Sequence, residues 1–138
     1  MTDRKLTRHE MREAAMLILF QLKLNISTLE EILEDCENSF ELEYTKESLK
    51  LVNGVTEHED ELIATISGYS PSRKVDRISV INMVIMEIAI YEMKYCPSVP
   101  DKVAINEAIE FSKEYADKSD TAFINGVLNS YYKDNCNA

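Results

Sequence analysis

Four cationic side chains stand within the first twelve residues, Arg4, Lys5, Arg8 and Arg12, against only Asp3 and Glu10. Lys5, Arg8 and Arg12 follow an i, i+3, i+7 spacing, which at helical periodicity places all three on one face. Three cations in such a row suit successive phosphates of a polynucleotide. They equally suit a solvated face that pairs with neighbouring acids. Other chemistries find fewer residues. Cys36, Cys96 and Cys136 share no short spacing, which argues against a disulfide framework or a zinc site and fits a reducing cytoplasm. His9 and His58 lie among charged residues and read as solvated, so no metal is expected. The chain has no glycine-rich phosphate loop, no G-x-S-x-G elbow and no H-E-x-x-H, so neither enzymatic activity nor a cofactor is expected.

The elements that must position these residues read as helices. A length of 138 residues suits one domain. Three glycines and three prolines are too few for a turn-rich β fold. The longest wholly apolar run is residues 14–20, far short of the ~20 residues that span a bilayer, so no membrane segment is expected. The net charge of −10 is unevenly spread: residues 29–61 carry twelve acids against Lys46 and Lys50. That acidic segment reads as a solvated face, or as a surface that steers a basic partner.

Apolar periodicity predicts helices over residues 6–24, 28–38, 45–67, 79–95, 101–115 and 121–132, with a short helical turn over 75–78. Thr28 and Glu31 have the spacing of a capping box. Gly54 weakens the 45–67 stretch and suggests a bend there. The helix over 79–95 is apolar on most sides and is therefore expected at the centre, with others packed round it. The ends, 1–5 and 133–138, are polar and expected to fray.

Three blocks of sequence resemble the NusB family. In the first helix, Arg8-His9-Glu10-Met11-Arg12-Glu13-Ala14-Ala15 and then Leu19-Phe20-Gln21 are similar to the family's Arg-x-x-x-Arg, Ala and leucine–aromatic pattern. In the central helix, Ile88-Ala89-Ile90-Tyr91-Glu92-Met93 matches hydrophobic-Ala-hydrophobic-Tyr-Glu-Leu. The most specific block runs Val99-Pro100-Asp101-Lys102-Val103-Ala104-Ile105-Asn106-Glu107-Ala108, followed by Phe123-Ile124-Asn125-Gly126-Val127-Leu128. The family pattern there is Pro-x-Lys-Val-Ala-Ile-Asn-Glu-Ala, then Phe-Val-Asn-Gly-Val-Leu.

The resemblance implies an all-α fold of about seven helices in two packed sub-bundles, forming a single NusB-like domain over 1–138. It implies transcription antitermination, supporting ribosomal RNA operons, through boxA-type single-stranded RNA bound together with the small-subunit ribosomal protein NusE in an RNA polymerase antitermination complex. The protein is expected in the cytoplasm as a monomer or weak homodimer. Lys5, Arg8, Arg12, Phe20, Lys102 and Phe123 are the RNA-binding candidates, cations for phosphates and aromatics for bases. Phe20 and Phe123 suit core packing equally well. Arg77 and Asn82 are the partner-binding candidates. Asn106, Glu107, Asn125 and Gly126 are structural candidates: the asparagines to cap or cross-link helices, the glycine to let helices approach closely.

Two features depart from the family. Glu10 interrupts the basic cluster, and Asn82-Met83-Val84-Ile85-Met86-Glu87 stands where the family has Asp-Arg-Ala-hydrophobic-Leu-Arg, so two arginines are missing. The alternative reading is therefore a divergent helical protein-interaction module that has lost most RNA affinity.

Overall fold

The structure is a computed structural model that describes residues 1–39 and 42–136. Seven α-helices and one 3-10 turn account for its regular structure: α1 Arg8–Lys23, α2 Leu29–Ser39, α3 Lys46–Glu57, α4 Glu59–Gly68, the turn Val75–Arg77, α5 Val80–Tyr95, α6 Asp101–Tyr115 and α7 Lys118–Asn135. The all-α class agrees with the sequence reading, and the helix count with what the resemblance implies. The chain divides into two compact units, Met1–Thr56 and Glu57–Ala138. The expected connector over 41–45 begins outside the described residues.

In the first unit, two capping boxes set where helices begin. Thr7 Oγ1 accepts from the Glu10 backbone N–H, and the Glu10 carboxylate accepts from the Thr7 N–H, so α1 starts at Arg8. Thr28 and Glu31 make the same reciprocal pair before α2, as their spacing predicts. Asn25, in the left-handed region at φ 57°, turns the chain between them. Ala14, Ala15, Met16, Ile18 and Leu19 of α1 are buried, as are Ile32 of α2 and Leu51, Val52 and Val55 of α3. Ser48 Oγ donates to the Met11 carbonyl at 3.1 Å and ties the first turn of α3 to α1.

The second unit is organised round α5, which packs against α4, α6 and α7. Ten of its sixteen residues are buried, as expected for a helix without a polar face. Ser79 caps it, accepting from the Asn82 N–H. Asp117 caps α7 by accepting from the Asp120 N–H, and Ser112 of α6 donates to Thr121 Oγ1 of α7 at 2.9 Å.

Two expectations are corrected here. The 45–67 stretch does not bend at Gly54, which is buried inside α3; it breaks at His58, whose φ of −108° and ψ of 15° are not helical. The acids Glu59, Asp60 and Glu61 follow at once, where a new helix N-terminus favours negative charge. The ends are also more structured than polarity suggests. Residues 133–135 continue α7, and the first residues are hydrogen-bonded: Thr2 N–H donates to the Tyr44 carbonyl, and Met1's ammonium pairs with Glu37. Residues 137 and 138 lie outside the described residues.

Candidate nucleic-acid interface

In the first unit, the chain before α1 is fixed by a charged network. Arg4 donates to Glu43 through Nε at 2.9 Å and Nη2 at 2.6 Å, and to Glu10 at 3.1 Å. The bonds to Glu43 and then Glu10 raise the Arg4 pKa above its ordinary value. Glu43 is held below the carboxylate range by Arg4, and Glu10 by the Thr7 N–H and then Arg4. Arg4 is therefore neutralised locally. Lys5 and Arg8 are exposed, and neither forms an ion pair among the described residues. Both line a surface cleft together with Leu6 and Met11 and with Lys46 and Glu47 from the start of α3.

Arg12 departs from the expected strip. It is 1% exposed and engaged within the fold, so it offers no phosphate contact. Lys5 leaves the strip for a different reason: α1 starts at Arg8, and helical spacing does not carry across the Thr7 cap. Within α1, Arg12 shares its stripe with Ala15, Met16 and Leu19 at i+3, i+4 and i+7, and all three are buried. Phe20, near the end of α1, is half-buried.

In the second unit, Phe123 is half-buried on α7. The Arg73 guanidinium lies over its ring, 4.3 Å from the centroid, and donates to Asp120 Oδ1 at 2.9 Å. This stack of a planar cation on an aromatic escapes sequence reasoning, because Arg73 and Asp120 are 47 residues apart. Lys102, at the start of α6, and Arg77, in the 3-10 turn, are exposed.

Asn82, a partner-binding candidate, is corrected. It is fully buried, and neither amide atom has a partner among the described residues, so no partner reaches it. Its place in the first turn of an all-round apolar helix turns it inward. The structural candidates are corrected in part. Asn106 and Asn125 are both exposed. Among the described residues, the Asn125 side chain bonds within its own helix, accepting from Asn129 Nδ2 at 2.6 Å. Gly126 is exposed too, and a Cβ there would meet no atom within 4 Å, so it serves no close helix approach. Glu107 is half-buried. Asn106, Asn125 and Asn129 instead line a groove of mixed polarity between α6 and α7, with Lys102, Ile105, Ile109 and Tyr132.

Fold and surface together define an all-helical binding protein with an exposed cationic cleft and half-covered aromatics, and no helix among the described residues is long and apolar enough to cross a membrane. The chain belongs to the NusB family, whose family model matches residues 9–133. Among its relatives are the transcription antitermination protein NusB of Listeria monocytogenes, 36% identical over 121 residues covering 88% of this chain and 92% of that protein, and that of Clostridium botulinum, 36% identical over 126 residues covering 88% and 95%. The solved structure of T. maritima NusB superimposes with a TM-score of 0.80 at 30% identity, covering 94% of this chain and 93% of that one. A crystal structure of the antitermination factors NusB and NusE in complex with dsRNA matches in fold, with a TM-score of 0.78 at 22% identity, covering 92% and 96%.

Proposed function

We propose that this chain is a transcription antitermination factor of the cytoplasm that binds boxA-type single-stranded RNA jointly with NusE, within an RNA polymerase antitermination complex. It acts as an adaptor and not as an enzyme. Family membership carries this reading: the relatives, similar across nearly the whole chain, are transcription antitermination proteins. The exposed, unpaired Lys5 and Arg8 supply the chemistry the role requires, with Lys102 and the half-covered rings of Phe20 and Phe123 as further contacts. Arg77 remains available to the protein partner.

A chain of net charge −10 is expected to hold a polyanion only weakly by itself, because its acids outnumber its cations and each phosphate contact adds only one counterion-release step. A cationic partner must share the strand. The test is a titration of short boxA-type RNA against this chain, NusE and the complex, at two salt concentrations. The complex is expected to bind at least tenfold tighter than either component, and this chain alone to show a log–log salt slope near about −2 for three contacts. A complex no tighter than NusE alone would defeat the proposal and leave a protein-interaction module without RNA.

A further inference from the structure

We propose that Lys46 is an RNA-contacting residue, and that it completes with Lys5 and Arg8 the three-cation phosphate cleft that Arg12 does not supply. The inference rests on the RNA-binding role proposed above and names a residue of that same surface. Lys46 is the first residue of α3, exposed, and unpaired among the described residues. It lines the same cleft as Lys5 and Arg8 although 38 residues separate it from Arg8.

The fold holds the three in place from both sides. On the α3 side, Thr45 N–H donates to Ser48 Oγ at 3.2 Å, and Ser48 Oγ reaches the Met11 carbonyl, which fixes the first turn of α3 against α1. On the other side, Thr2 is bonded to Tyr44 and Arg4 to Glu43, so the extended segment carrying Lys5 is tied to the segment that leads into Lys46. Cations on such an ordered frame lose less freedom on binding than cations on a loose tail.

Charge selects the occupant. Arg4 is consumed by Glu43 and Glu10. Of the remaining groups lining the cleft, Lys5, Arg8 and Lys46 stand against Asp3 and Glu47, a positive balance in a chain whose 29–61 segment is strongly acidic. A polyanion repelled by that acidic segment meets opposite charge here, and phosphates of a single strand can be shared among three separated cations. The small excess also explains why the cleft needs a cationic companion.

The experiment uses the full chain with NusE and a short boxA-type RNA, comparing wild type with Lys46→Ala, Lys46→Arg and Lys50→Ala at two salt concentrations. Lys50 is exposed one turn further along α3 and does not line the cleft. Lys46→Ala is expected to weaken RNA binding about threefold to tenfold and to make the salt slope shallower by about 0.7. Lys46→Arg should retain both, Lys50→Ala should match wild type, and capture of NusE without RNA should be unchanged. RNA binding by Lys46→Ala equal to wild type, or a matching loss in Lys50→Ala, overturns the proposal while leaving the function intact. Loss of NusE capture by Lys46→Ala also overturns it, by moving Lys46 to the protein interface. A wild-type complex that binds no RNA removes both.

Discussion

Arg8 and Arg12 are one helical turn apart and have opposite fates. Arg8 reaches solvent; Arg12 is among the largest fully buried side chains. Removing a buried, engaged cation costs far more than removing a solvated one, because the packing and polar contacts it makes inside the fold are lost together. Arg12→Ala is therefore expected to destabilise the protein by about 3 kcal/mol, read as a lowered urea midpoint. Arg8→Ala should leave that midpoint in place and weaken RNA binding. Equal midpoints for the two variants would contradict the burial argument. Arg73 makes a second residue-scale case. It covers one face of Phe123 and is paired with Asp120, so Arg73→Ala should cost about 1 kcal/mol through the lost cation–π and ion-pair contacts. Arg73→Lys, which keeps the charge but loses the flat stack, should recover only part of it.

At the scale of elements, caps decide where helices start, and so which side chains share a face. Thr7 satisfies an orphan N–H of α1 and is reciprocated by Glu10. Thr7→Ala is expected to cost about 1 kcal/mol by chemical denaturation. The join between α4 and α5 is built on Glu61, which accepts from Lys94 Nζ and from the Tyr95 hydroxyl, while His58 stacks on Tyr95 with centroids 4.1 Å apart. The bond from Lys94 and then that from Tyr95 hold the Glu61 pKa at about 2, against an ordinary 4.5. With the folded value depressed, the ionised form favours the folded state. That contribution is whole above about pH 4.5 and is lost as pH falls towards 2. Acid unfolding of Glu61→Gln should be flatter than wild type across that window, and superimposable curves would show that this join carries no linked proton.

At the scale of the whole molecule, the charge distribution matters more than its sum. Acids crowd residues 29–61, yet the first unit keeps Lys5, Arg8 and Lys46 unpaired on one cleft. Such a surface is expected to give modest affinity and a shallow salt slope. On the proposed function, the partner is expected to be a condition of binding and not an accessory. Sharing a strand between two proteins converts the second contact into an effectively intramolecular one, which is the physical basis for the large gain expected of the complex.

Most of the helices, the central place of α5 and the Thr28–Glu31 cap were legible in the sequence, because each depends on residues within a few positions of one another, while the count of seven came from the family resemblance. The family was legible too, since its motifs lie on contiguous stretches of α1, α5, α6 and α7. Local periodicity could not tell that Thr7 restarts the helical phase, that Arg12 turns inward, or that the chain breaks at His58 and not at Gly54. It could not place Lys46 beside Arg8, set Arg73 on Phe123, bury Asn82 or leave Gly126 in the open. Those outcomes depend on which helix faces are covered by segments tens of residues away, and a side chain's exposure is a property of that packing and not of its spacing along the chain.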